Sequence, residues 1–331
     1  MMNKNLLYSS IKVILPLLLG SGILIWMYRD FNFIQIENVL KYDVKWEWMI
    51  FSIPFGIFAQ TFRGWRWKQT LDPMGETVRN SVSVNSIFIS YAISLIIPRS
   101  GEFIRCGILN RYDKVPITKA LGTVVMERAI DSIIVLIVTL ITIITQIPIF
   151  IRFFNKTGTR LDSIFTLFTP IGWFVTLVCF VVAIIFIGII LKHLSTYGKI
   201  KSILNSIWTG IKALRSVRNI PLFIFYSIGI WVSYFLHFYL TFFCFSATSE
   251  LSITCVLICF VVGSIAVIVP TPNGAGPWHF AVKTMLILYG IADIQALYFV
   301  LVVHTIQTLL VILLGIYAWI ALLFTKHKTI Q

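Results

Sequence analysis

Residues 82–101, VSVNSIFISYAISLIIPRSG, decide the fold of this chain. The apolar run 82–98 approaches the length of about 20 helical residues that crosses a bilayer. It ends at Pro98-Arg99-Ser100-Gly101, and proline and glycine together stop a helix. Basic residues cluster before the run at 63–80 and after it at 99–119. Because loops rich in Lys and Arg stay on the cytoplasmic side, the run is predicted to enter the membrane and return as a helical hairpin.

A second apolar stretch, 252–291, has the same design and is interrupted at Pro270-Thr271-Pro272-Asn273-Gly274. The basic segment 192–218 and the C-terminal tail are predicted to be cytoplasmic, and segment 246–251 is predicted to lie outside. The last span then begins outside, so that 252–291 also enters and returns. The alternative is a chain of eight or nine plain spans, two of them kinked.

These assignments predict two halves of inverted topology, 1–150 and 165–331, each ordered as span, span, re-entrant hairpin, span. Corresponding breaks in inverted halves indicate a transport site near the bilayer midplane. Apolar and basic residues alternate at helical spacing near 199–218, which predicts an amphipathic helix on the inner surface that joins the halves.

The composition indicates a single transmembrane domain over residues 1–331. Hydrophobic residues make up 58% of the chain and charged residues 12%, whereas soluble domains are about one quarter charged. The apolar runs lack the alternation of barrel strands. We therefore predict an all-α polytopic membrane protein with about six full spans plus two re-entrant helical hairpins.

The net charge of +14 is spread through short connections and forms no basic domain. This pattern favours loops that face the cytoplasm and anionic headgroups, and it argues against a nucleic-acid partner. We expect a cell (inner) membrane location with both termini cytoplasmic. The N-terminal run 13–27 is interpreted as a first span in preference to a signal peptide, because it lacks a cleavage site and ends beside Trp26 and Tyr28.

The first polar cluster, Arg99 to Arg105, follows the first break directly. At Gly101, the backbone N–H groups at the start of a helix are free of partners within the helix, and such a position favours the binding of a phosphate group. Arg99 and Arg105 add guanidinium groups, and Glu102 either holds one arginine or receives a cationic headgroup. The alternative is an ordinary basic loop after a helix.

A second cluster begins a long apolar run. Thr123, Glu127 and Asp131 are spaced by four residues and share one helical face, while Arg128 is turned about 100° away. Two carboxylates on a buried face require a partner, for which Arg99 and Arg105 are candidates. A purely structural network of buried ion pairs is the alternative.

The second break supplies donors and no acid. Its candidate site residues are Asn273, Gly274, Gly276 and His279. His237 and His304 lie singly in apolar spans and are predicted to form hydrogen bonds inside the bundle. The five cysteines include no CxxC motif, and no motif of a hydrolase, nucleotide-binding or metalloprotease site occurs, so neither metal, cofactor nor catalytic residue is predicted.

Three motifs together resemble the lysylphosphatidylglycerol synthase transmembrane family, the flippase part of bacterial enzymes that attach amino acids to phosphatidylglycerol. They are Pro98–Arg105, Glu127–Asp131 and Pro270–Gly276, in this order and over nearly the whole chain. The resemblance implies a lipid-translocating bundle with two re-entrant elements. Two departures accompany it. His279 stands where the family usually has a glutamate, which implies a different headgroup preference. Only Thr325–Gln331 follow the last span, so we expect no aminoacyl-transferase activity from this chain alone.

Three functions follow as hypotheses. The first is a flippase-like translocator of an anionic phospholipid or a polyprenyl-phosphate-linked lipid, with membrane lipids as the partners. The second is a secondary transporter of a small soluble anion. The third is an enzyme, or a subunit of one, that modifies lipid headgroups with Glu127, Asp131 or His279 as acid or base. We expect a transporter and not an enzyme.

Overall fold

The protein is described from a computed structural model that covers residues 18–29, 37–98, 100–145 and 217–328. Over these residues the regular elements are helical, apart from one isolated β-bridge between Val44 and Phe245. The α-helices are α1 (Leu18–Tyr28), α2 (Trp46–Leu71), α3 (Asn80–Ser94), α4 (Gly101–Asp113), α5 (Ile117–Thr145), α6 (Ile220–Thr241), α7 (Ile253–Ala266), α8 (Pro277–Leu288) and α9 (Asp293–Leu323).

Three of the described helices are long and apolar enough to cross a membrane: α5, α6 with its 3₁₀ extension to Cys244, and α9. Many aliphatic side chains of these helices are exposed, and a bilayer would cover this surface. A helix satisfies its own backbone groups where no water is present. The prediction of an all-α, multi-pass membrane protein is therefore confirmed.

Helices α2 and α6 pack against each other in opposite directions along their whole length. Near one end, the Ser52 carbonyl meets His237, and nearer the other, Phe62 stacks on Tyr226. The Val44–Phe245 bridge continues the contact beyond the helices. Segments 37–45 and 246–251 consequently lie at the same end of the bundle, which is the relative placement that the charge pattern predicted.

The basic connections meet at the opposite end. Arg79 Nε lies 2.6 Å from Asp113 Oδ1, and the ring of His327 stacks on Tyr112. Lys328 contacts Thr77. The loop before α3, the end of α4 and the C-terminal tail thus share one end of the bundle, as the positive charges predicted.

Each Pro/Gly break separates two short helices that pack on each other. In the first hairpin, α3 and α4 approach so closely that a Cβ on Gly101 would lie 2.1 Å from the Ser90 carbonyl oxygen. In the second hairpin, α7 and α8 are joined by 267–276, where Asn273 has a φ of 50° and Gly276 has a φ of 90°. Positive φ strains side chains other than glycine, so this turn is specific to its sequence.

One prediction about the helix limits changes with the structure, and two others cannot be compared with it. Residues 63–80 were predicted to form a cytoplasmic loop, but α2 continues to Leu71 and buries both Arg63 and Arg66. The prediction was wrong because acidic side chains of α5 neutralise these two arginines inside the bundle. The first span of the second half and most of the predicted amphipathic helix at 199–218 lie outside the described residues.

Candidate functional site

An ion-pair network fills the space between α2 and α5. Asp131 on α5 accepts hydrogen bonds from two arginines of α2: Arg63 Nη1 lies 2.5 Å from Oδ2, and Arg66 Nη2 lies 2.8 Å from Oδ1. Both arginines are spaced by three residues and face the same side of α2. Burial makes this pairing necessary, since an isolated charge in the bundle would be very costly.

A second carboxylate, Glu127, extends the network to the first hairpin. Arg105 Nη1 on α4 lies 2.8 Å from Glu127 Oε2, and Arg66 Nε lies 3.5 Å from Glu127 Oε1. The guanidinium of Arg105 also covers the ring of Trp67 at 4.5 Å, and Trp67 Nε1–H donates to Thr123 Oγ1. The predicted polar face of Thr123, Glu127 and Asp131 is therefore buried, and of the two predicted partners Arg105 pairs with it.

Arg128 is accessible, in contrast to the buried Arg63, Arg66 and Arg105. Its Nε lies 3.4 Å from Glu102 Oε1 and its Nη2 lies 3.6 Å from Asp131 Oδ2, while the side chains of Arg128 and Glu102 are each 43% exposed. These contacts are longer than those of Arg63 and Arg105. Arg128 is thus held only loosely, which leaves its guanidinium donors available to a ligand. Arg99 lies outside the described residues.

The charges of the network do not balance. Four guanidinium groups, on Arg63, Arg66, Arg105 and Arg128, face three carboxylates, on Glu102, Glu127 and Asp131. Over the part of the chain that the structure describes, one positive charge is therefore left in excess. An anion with a single negative charge would neutralise the network, and a low-dielectric surrounding strengthens that attraction.

A cavity of about 620 Å³ opens beside the network. It is lined from both predicted halves of the chain. Arg63, Arg128 and Asp131 form a charged wall, and Gln60, Tyr91, Tyr234 and Asn273 add polar groups. Most of the remaining lining is aliphatic or aromatic, from α5, α6, α7 and α9. A cavity with one charged wall and an otherwise apolar surface suits an amphiphile.

Among the candidate site residues of the second break, Asn273 is the one that lines this cavity. Its side-chain amide donates to Thr308 Oγ1 at 2.8 Å, while His304 Nε2 lies 3.1 Å from the Asn273 carbonyl oxygen and His304 Nδ1 lies 3.4 Å from Thr308 Oγ1. The carbonyl can only accept, so His304 carries its proton on Nε2. This ring of hydrogen bonds holds the break against α9. The predicted interior hydrogen bonds of His304 and His237 are both present.

The other candidates of the second break do not line the cavity. His279 is buried, accepts from the Gly276 N–H at 3.4 Å through Nδ1, and packs 4.3 Å from the His304 ring. Gly276 approaches the Gly20 carbonyl oxygen so closely that an added Cβ would lie 2.7 Å from it. Gly274 has a φ of 72°. Gly276 and His279 pack the turn against α1, whereas Gly274 lies against Val267 and Trp278.

The predicted site residues are therefore divided by the structure. Arg128, Asp131 and Asn273 meet at the cavity, whereas Arg105 and Glu127 support it from behind. Gly101 and Glu102 begin α4 beside Arg128.

Sequence reasoning missed the contribution of α2. Gly56, Gln60 and Arg63 line the cavity and recur at i, i+4 and i+7. That spacing marks one helical face, and it would have placed Arg63 inside the bundle. Within the described residues, no group of three or more His, Cys, Asp or Glu side chains is arranged to hold a metal ion.

Comparison with known proteins gives one family. The family described as Lysylphosphatidylglycerol synthase TM region matches residues 13–315 of this chain. No curated protein and no solved structure matches it.

Proposed function

This chain belongs to the lysylphosphatidylglycerol synthase TM region family, and we propose that it is a flippase-like translocator of an anionic lipid. The family membership indicates a membrane role related to lipids. Translocation, the class of lipid and the residues that bind it are our proposal. The cargo we propose is a phospholipid or a polyprenyl-phosphate-linked lipid that carries one negative charge near its headgroup.

The cavity is the observation that carries this proposal. Its charged wall has one positive charge in excess and a loosely held arginine, Arg128. Its remaining wall includes aliphatic side chains that are largely exposed, such as Leu136 (58% exposed) and Ile268 (66% exposed). A headgroup phosphate bound by Arg128 would leave its acyl chains beside these aliphatic residues. A small soluble anion has no apolar part that could contact this aliphatic wall.

The packing of the helices supports a pair of inverted halves, 1–150 and 165–331. Helix α9 of the second half packs on the first hairpin, and helix α5 of the first half packs on the second hairpin. The equivalent helices α2 and α6 pack on each other. The contacts between the two halves are therefore reciprocal, as expected for halves related by a two-fold axis in the membrane plane. We propose alternating access by rocking of the two halves, in the cell membrane, with both termini cytoplasmic.

The state of the acidic residues favours a translocator over an enzyme. Glu127 and Asp131 are each held by arginines inside the bundle, so neither carboxylate is free to contact a bound headgroup. His279 does not line the cavity. None of the three residues to which the hypothesis of a headgroup-modifying enzyme assigned the acid or base is therefore free at the cavity.

Reconstitution tests the proposal. Liposomes would carry the purified protein and a fluorescent phosphatidylglycerol, and a membrane-impermeant reductant would report the leaflet in which the label lies. We expect faster exchange than in empty liposomes and a loss of about tenfold for Arg128→Gln, since a charge-assisted contact contributes about 1.5–3 kcal/mol. The matched control is Arg111→Gln, which removes an exposed arginine of α4 outside the cavity.

The other hypotheses predict different outcomes in the same preparation. A chemically altered lipid after incubation would identify an enzyme. Uptake of inorganic phosphate or another small anion, with no lipid exchange, would identify a solute transporter. Either result would overturn the proposal.

A further inference from the structure

The cavity wall contains a buried acceptor that none of the described residues uses. Gln60 on α2 lines the cavity and is only 4% exposed. Its Oε1 atom is buried and accepts no hydrogen bond from any described residue. A buried amide oxygen without a donor costs free energy, so its presence at a cavity wall points to a donor supplied by a ligand.

A second acceptor lies beside α2, one helical turn before Gln60. His237 on α6 lines the same cavity, and its Nδ1 lies 2.8 Å from the Ser52 carbonyl oxygen. The carbonyl can only accept, so the proton is on Nδ1 and Nε2 carries a lone pair. Nε2 lies 3.1 Å from where a Cβ on Gly56 would stand, and Gly56 precedes Gln60 by one turn of α2. The amide of Gln60 and Nε2 of His237 therefore line one stretch of the wall.

The charge of this region selects among possible donors. Asp131 is the one carboxylate among the described residues that line the cavity, and Arg63 and Arg66 already hold it. An ammonium group beside Gln60 would lack a counter-charge. Hydroxyl groups need only neutral acceptors. Aromatic rings complete the wall with apolar faces against which the C–H groups of a polyol can pack. They come from Trp231, Tyr234, Phe238, Phe260 and Trp278.

We propose that Gln60 and His237 form a hydroxyl-binding subsite, and that the ligand of this cavity is an anionic lipid whose headgroup carries free hydroxyl groups. Its phosphate would bind at Arg128, and its hydroxyls would donate to Gln60 Oε1 and His237 Nε2. This inference rests on the proposed function and narrows its substrate class. A glycerol headgroup and a phosphate-linked sugar share the required chemistry.

Two lipids that differ only in hydroxyl groups test it. Phosphatidylglycerol and phosphatidylmethanol with the same acyl chains carry the same single negative charge, and phosphatidylmethanol has no headgroup donor. Each would compete with fluorescent phosphatidylglycerol for the purified full-length protein in detergent. We expect phosphatidylglycerol to compete roughly tenfold better, a difference of the size expected for one or two hydrogen bonds. A lipid-linked sugar phosphate, added as a third competitor, shows whether a sugar is preferred to glycerol.

Gln60→Met is the decisive variant, because it keeps the length of the side chain and removes the unpaired amide. We expect it to fold as well as the parent protein and to bring the roughly tenfold preference close to one. Gln69→Met is the matched control. Gln69 is on the same helix and also has a buried Oε1 without a partner among the described residues, but it does not line the cavity. Its variant should keep the preference.

The outcomes separate this inference from the proposed function. Equal competition by the two lipids in the parent protein, with both weakened by Arg128→Gln, would overturn the hydroxyl subsite and leave the anion site intact. Binding of both lipids that is insensitive to Arg128→Gln would instead contradict the proposed function. Phosphatidylethanolamine that competes as well as phosphatidylglycerol would overturn the assignment of hydroxyl donors, because its donor is an ammonium group.

Discussion

Arg105 Nη1 lies 2.8 Å from Glu127 Oε2, and both side chains are buried. The contact joins the returning helix of the first hairpin, α4, to the neighbouring span α5. It also places Glu127 between Arg105 and Arg66. The hairpin is thus held inside the bundle by charge pairing as well as by apolar packing.

Removal of one member of this pair should destabilise the protein strongly. We expect Glu127→Gln to lower the free energy of unfolding by about 3–5 kcal/mol, because it leaves the guanidinium of Arg105 buried without a counter-charge. The double variant Arg105→Met/Glu127→Met should be less destabilised than the sum of its single variants. Thermal unfolding in detergent measures both. Glu37→Gln, which breaks an exposed pair with Lys41, is the control and should change little. Additive effects would contradict direct coupling between the two residues.

The loose pair between Glu102 and Arg128 should limit ligand affinity. Glu102→Gln releases Arg128 and raises the positive charge in excess, so we expect anionic lipid to bind about two- to fivefold more tightly. Titration with fluorescent phosphatidylglycerol measures this change. Asp72→Asn, which removes an exposed acid at the end of α2, is the control. Weaker binding in Glu102→Gln would show that the carboxylate itself contributes to the site.

At position 315, where α9 contacts the first hairpin, we expect that no residue larger than glycine fits. An added Cβ would lie 2.3 Å from Ala92 Cβ, so Gly315→Val must separate the helices and should cost about 1–3 kcal/mol of stability. Ala92→Gly should restore part of the loss. Gly107→Ala is the control, since nothing lies within 4 Å of its added Cβ. If Gly315→Val destabilises the protein equally with and without Ala92→Gly, the clash lies with another residue.

The turn at Asn273 should reverse the usual preference for alanine over glycine. Its φ of 50° strains residues that have a Cβ, while its side chain donates to Thr308. Both Asn273→Gly and Asn273→Ala lose that hydrogen bond, but alanine should cost about 1 kcal/mol more. Thermal unfolding of the two variants decides the order. A more stable alanine variant would mean that the turn relaxes out of its left-handed conformation.

The sidedness of the two ends can be tested directly. Ser246 and Lys114 are exposed and lie at opposite ends of the bundle. In a background without the five native cysteines, Ser246→Cys should react with an impermeant thiol reagent in intact cells, and Lys114→Cys should react only after permeabilisation. Reaction of both positions from the same side would eliminate the arrangement of two re-entrant hairpins.

The amino-acid sequence alone determined those features that depend on local chemistry. Backbone N–H and C=O groups find no water in lipid, so the apolar runs must form helices that bond these groups internally. The Pro/Gly breaks interrupt the helices at corresponding places in the two predicted halves. Helical spacing placed Thr123, Glu127 and Asp131 on one buried face.

Only the tertiary structure decided which groups meet. Arg63 belongs by composition to a basic loop, but its partner Asp131 is 68 residues away, and no local pattern connects the two. Asn273 and His279 are only six residues apart, yet the glycines of positive φ between them direct Asn273 to the cavity and His279 toward α1 and α9. The reason is physical. The cost of burying a charge or an unpaired polar group depends on its partners, and packing supplies partners from segments that are distant in sequence.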